Sequence, residues 1–144
     1  MKPPAATVLQ GGRRKAYRPI PAAARRAALE AALAAYDRGD YFEAHELLEP
    51  AWMGTDDIVE RDLYQGLIKV AAAFVHGVRG NPKGIATNLI GARDRLAGAL
   101  GGGARHGGIE VAQLVDDVDV LIARLGDDPE DGSLDAPTIR RRDS

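Results

Sequence analysis

Apolar residues recur at helical spacing in five stretches of the chain, separated by glycine, proline and aspartate. The first runs from Pro21 to about Arg38, with Leu29, Leu33 and Tyr36 facing inward. Pro21 suits a first helical turn, and Gly39 suits the left-handed residue that closes a helix. A second helix begins at once at Asp40, whose carboxylate accepts from free amides of the first turn. Glu43, three residues on, completes a capping box. Two helices joined this tightly form an antiparallel hairpin.

The third stretch runs from about Asp57 to Arg79, capped by Asp56 or Asp57. Its apolar face, from Leu63 and Tyr64 to Phe74 and Val78, is broad enough for the central helix of a bundle. Gly66 and Gly77 each cost helix stability, ~1 kcal/mol relative to Ala, which points to close approach by another helix. Gly80-Asn81-Pro82 is a stop and a restart. The fourth helix covers about Pro82 to Leu100, with Ile85, Leu89, Ala92 and Leu96 inward. Gly101-Gly102-Gly103 breaks it, and the loop to Gly108, with His106, reads as flexible and solvated. The fifth helix covers about Ile109 to Leu125, and no strand pattern competes anywhere.

The second helix is the polar centre. At ~100° per residue, Phe42, His45, Glu46, Glu49, Trp52 and Met53 share one face. Burying a large aromatic side chain is worth roughly 1.5–3 kcal/mol, so this face is expected to turn inward. The imidazole and two carboxylates then go with it, at least to the boundary. Buried carboxylates need partners, and the third helix offers a narrow stripe of Gln65, Lys69, Ala72 and His76. His45, Glu49, Gln65 and His76 can satisfy one another and fix the register of the two helices. Pro50 is expected to kink or end the second helix nearby.

Composition narrows the chemistry. A length of 144 residues suits one domain with a real core, and 45% hydrophobic content is ordinary for a globular protein. The absence of cysteine excludes disulfides, thiolate metal sites and cysteine catalysis. Ser133 and Ser144 lie in the tail, far from an activating base. No apolar run reaches the ~18–20 residues of a membrane helix, and no signal-peptide core opens the chain, so a cytoplasmic protein is expected. The net charge of -2 conceals a basic start, Lys2, Arg13, Arg14, Lys15 and Arg18 without an acid. Residues 1–20 read as a flexible basic arm, 21–126 as the bundle, and 127–144 as a disordered acidic tail closed by Arg140-Arg141-Arg142. A mildly acidic body with basic ends is not the charge pattern of a nucleic-acid domain. Ala-rich faces on the first and fourth helices leave a homo-oligomer open.

His45-Glu46-Leu47-Leu48-Glu49 invites comparison with the H-E-x-x-H zinc motif, with glutamate in place of the second histidine. A divalent metal would draw on His45, Glu49 and His76, with Glu46 an alternative third ligand. The paired Glu-x-x-His motifs of di-iron bundles are missing.

Tyr41 to Trp52, Gln65 to Phe74 and Gly80 to Gly84 together resemble the family called domain of unknown function 309. This resemblance covers about residues 25 to 100. It implies a small all-α bundle of the prokaryotic kind, with signature positions at Phe42, His45, Glu46, Glu49, Trp52, Gln65 and Gly66 and a histidine near His76. It carries no activity to transfer. The chain is thus expected to be an all-α, single-domain bundle of about five antiparallel helices. Its leading function is binding a protein or small molecule at His45, Glu46, Glu49, Trp52, Gln65 and His76. The alternative is a metal-dependent hydrolase using the same cluster.

Overall fold

The computed structural model describes residues 7–10, 13–16, 19–78, 82–103, 105–130 and 134–141. Five helices build the bundle: α1 (Ala22–Asp37), α2 (Tyr41–Met53), α3 (Ile58–Val78), α4 (Pro82–Ala99) and α5 (Val111–Asp127). The local signals act as expected. Gly39 takes φ +81° and reverses the chain between α1 and α2. The Asp40 carboxylate accepts from Glu43 N at 3.1 Å, and Asp57 caps α3 by accepting from Glu60 N at 2.8 Å. No helix among the described residues is long and apolar enough to cross a membrane.

Helix α3 is the hub, packed against α2 on one side and α4 on the other. Its Leu63, Leu67, Val70, Ala71 and Phe74 enter one core with Leu33 of α1, Leu48 of α2, Leu89 and Leu96 of α4 and Leu114 of α5. Gly66 explains how closely α3 and α4 approach. A Cβ built there would lie 2.6 Å from the Leu96 side chain and 3.2 Å from its backbone nitrogen.

Two short antiparallel ladders accompany the helices. Residues within the expected basic arm pair as a hairpin, β1 (Thr7–Gln10) with β2 (Arg13–Ala16). Residues within the expected flexible loop pair as β3 (Arg105–His106) with β4 (Ile109–Glu110). Gly107 and Gly108, both at positive φ, form the two-residue turn that such a hairpin needs. Helix α5 therefore starts at Val111 rather than Ile109, because Ile109 is spent in β4 and is fully buried.

The C-terminal stretch corrects a second expectation. Instead of trailing as a disordered tail, residues 134–141 run back along the bundle. Ile139 is 3% exposed, and Pro137 O accepts from the buried Tyr36 hydroxyl. Glu110 N donates to Arg140 O, Arg140 pairs with Asp117, and Arg141 pairs with Asp37. A single isoleucine in a polar, glycine-punctuated segment gives no periodicity to read, yet it fills a place in the core.

The inward face of α2 is also different. Tyr41, Ala44, Leu48, Ala51 and Trp52 pack against α1 and α3, whereas Phe42 is 64% exposed and Glu46 lies on the surface. Ala44 and Ala51 decide the orientation, because their small side chains let α2 settle closely between its two neighbours. Tyr41 then stacks edge-on with Tyr36 at 5.2 Å and tilts against Phe74 at 5.9 Å. Pro50 does not end the helix, which continues to Met53.

Candidate functional site

The orientation of α2 places its polar cluster at the rim rather than in the core. His45 and Glu49, one turn apart, flank the packed face, and Glu46 stands further out. One ligand atom from each of His45, Glu46 and Glu49 lies within 4.8 Å of the others. Their side chains are accessible: 32% of His45 and 55% of Glu46 are exposed. His45 Nδ1 is 3.4 Å from Glu46 Oε1, but makes no hydrogen bond of acceptable geometry. The two therefore attract as a charge pair only when the imidazole is protonated. Among the described residues no hydrogen bond joins His45 to Glu49. The chain buries the alanine side of the helix and leaves the Glu46 carboxylate in water, while His45 Nδ1 itself is buried.

Trp52 continues the same stripe but turns inward, where its ring lies under Arg61 of α3, with the guanidinium carbon 5.6 Å from the ring centroid. That contact and the Tyr41–Phe74 contact fix the antiparallel register of α2 and α3. In this register the half-buried Gln65 sits level with Glu49. The side chains of His76 and His106, and the Gly80-Asn81 stop, lie outside the described residues.

Arg61 is electrostatically awkward. Its Nε and one Nη, like Trp52 Nε1, are buried without a hydrogen-bond partner among the described residues. Burial, and then the neighbouring Arg95, lower its pKa against the opposing pull of Asp62. Stacking a cation on an indole returns roughly 0.5–2 kcal/mol. Leaving buried N–H groups without acceptors costs ~1–3 kcal/mol. Arg61→Met keeps the aliphatic stem on Trp52 and removes the orphaned donors. Its thermal midpoint is expected to equal or exceed that of the parent. A clear drop would show that the guanidinium is held by a favourable contact.

A second polar cluster, centred on Glu60, escaped the sequence reading. Arg25 of α1 donates to both Glu60 oxygens, at 2.6 and 3.3 Å. The Tyr64 hydroxyl donates at 2.7 Å and the buried Thr55 hydroxyl at 3.4 Å. Burial pushes the Glu60 carboxyl up, but the bonds from Arg25 and Tyr64, the Arg25 charge and the Thr55 bond outweigh it and leave the pKa below its ordinary value. Burial, reinforced by the Glu60 contact, pushes the Tyr64 phenol up. The legible signal was Glu60 and Tyr64 one turn apart on α3. Arg25, 35 residues away, carries no local sign of the pairing.

Beside the His/Glu cluster lies a surface groove of about 310 Å³, lined by Ile20, Glu46, Glu49, Pro50 and Met53. Ile20 is held there by its amide, which donates to Gly54 O at 3.0 Å, and by its carbonyl, which accepts from Arg25. The groove is thus apolar on its floor and carboxylate-bearing on one side.

No curated protein and no solved structure matches the chain significantly. The family described as Domain of unknown function (DUF309) matches residues 29–88, the span from within α1 into α4 that contains the His/Glu cluster, Trp52 and Gln65. Over that span the chain is similar to the DUF309 family.

Proposed function

We propose that this is a binding domain whose recognition centre is the His45, Glu46 and Glu49 cluster on α2. One observation carries the reading: the three groups converge within 4.8 Å, with no Lys or Arg paired to either carboxylate among the described residues. Adjacent carboxylates repel each other, and a ligand that brings positive charge relieves the repulsion. A structural lock would be closed and paired, whereas here Glu46 is exposed, Glu49 half-buried, and the buried His45 Nδ1 lacks a partner among the described residues.

A metal-dependent hydrolase is the second reading, favoured by the donor set itself. One imidazole nitrogen and two carboxylate oxygens suit a divalent ion such as zinc or manganese. Two ligands bonded at ~2.1 Å are at most about 4.2 Å apart, so the outermost donors would have to close by side-chain rotation. Glu46, on the surface, has room to do so. A bound metal would supply an acidified water as nucleophile. His45 would have to present a neutral Nδ1, and Glu46 and Glu49 would neutralise the ion's charge.

Metal content of the untagged protein, repeated on His45→Ala, separates the two readings. The binding reading expects no stoichiometric metal. A metal lost in the variant would make the cluster a metal site, as the hydrolase reading requires, and hydrolysis would then be assayed on the metal-loaded protein. Glu49→Ala provides the check on structure. Glu49 makes no hydrogen bond among the described residues, so its loss is expected to change stability by less than ~0.5 kcal/mol. A loss of several kcal/mol would make the cluster a structural lock and end the binding reading.

A further inference from the structure

We propose that the outward stripe of α2, from Phe42 through Glu46 and Glu49 to Met53, docks a basic peptide segment in which a lysine or arginine is flanked by apolar residues. This rests on the binding reading above and names its partner. Phe42, Glu46, Pro50 and Met53 recur at one-turn spacing and therefore form a continuous line on the helix surface. Phe42 heads that line at 64% exposure, although it is an aromatic side chain that costs free energy to hold in water. At the other end, Met53 and Pro50 join Ile20 in the groove beside the two carboxylates. The stripe is apolar at both ends and acidic in the middle.

A lysine or arginine side chain has the complementary form. Its aliphatic stem lies on apolar surface while its charged head reaches a carboxylate. Glu46 and Glu49 have no such partner of their own among the described residues. Pro50 adds an acceptor, since it has no N–H to offer the Glu46 carbonyl one turn back. A bare metal ion would use the donors but leave the exposure of Phe42 unexplained. A nucleic acid would be repelled by both carboxylates.

Short synthetic peptides of varied charge and apolar content, immobilised as an array, are probed with the full-length chain. Retained sequences are then remeasured in solution by fluorescence anisotropy. The expected result is selection of peptides with a lysine or arginine between apolar residues. Their binding should weaken with added salt and fall about tenfold or more for Phe42→Ala and for the double variant Glu46→Gln, Glu49→Gln. Retention of acidic and neutral peptides as strongly as basic ones overturns the proposal. If the double variant loses binding and Phe42→Ala does not, the charged centre stands and the amphipathic partner is wrong. If neither loses binding, both readings fall. All three side chains are at the surface or half-buried, and unchanged helical circular dichroism of the variants excludes misfolding as the cause.

Discussion

Leu96→Ala is expected to destabilise the protein by about 3 kcal/mol, within the range measured for fully buried leucines. Leu96 has no exposed surface and sits on α4 directly over Gly66 of α3. The same contact gives a sharper expectation. In the parent, Gly66→Ala drives a Cβ to 2.6 Å from the Leu96 side chain. The overlap costs ~1–3 kcal/mol and exceeds the ~1 kcal/mol that alanine gains over glycine in a helix. In the Leu96→Ala background the side-chain overlap is gone and only the 3.2 Å approach to the backbone nitrogen of residue 96 opposes the gain, so the Gly66→Ala penalty should shrink sharply. Urea unfolding of the four proteins measures this coupling. Additivity across the cycle would mean that α3 and α4 do not meet at this point.

Glu60→Ala should cost about 2–3 kcal/mol at neutral pH. Breaking a fully buried ion pair by removing one partner costs ~3–5 kcal/mol, and some water reaches this one, whose Arg25 and Glu60 side chains are 18% and 19% exposed. Because the folded pKa of Glu60 is depressed, its contribution is fully present above the unfolded value of ~4.3. It is lost as pH falls through the lower folded value. The difference in unfolding free energy between parent and variant should therefore shrink from pH 7 toward pH 3. An equal difference at both would mean that Glu60 acts through packing rather than through its charge.

What was legible in the sequence was local. Gly39, Asp40 and Asp57 act through their own backbone and neighbours within three or four residues, so the ends of α1, α2 and α3 could be read directly. Gly66 was legible as an anomaly, a glycine where a helix former belongs, and the close approach of α4 is its cause. The face of α2 was not legible, because size misleads there. Phe42 looks like a residue to bury, yet Ala44 and Ala51 permit the closest packing and win, and Met53 is buried only in part. His45, Glu46 and Glu49 come together because one helix carries them, with His45 and Glu49 half-buried and Glu46 on the surface. The Arg25–Glu60 pair and the docking of Ile139 depend on contacts between distant segments. No periodicity encodes them.

That last contact bears on how the protein is made. The Tyr36 hydroxyl waits for an acceptor 101 residues further along the chain. At ~5–20 residues per second, a ribosome delivers Pro137 roughly 5–20 s after Tyr36. Helical hairpins such as α1–α2 close in well under a millisecond. The nascent bundle therefore presents the flank of α1 uncovered for seconds, and that flank is sealed only once residues 134–141 have been made.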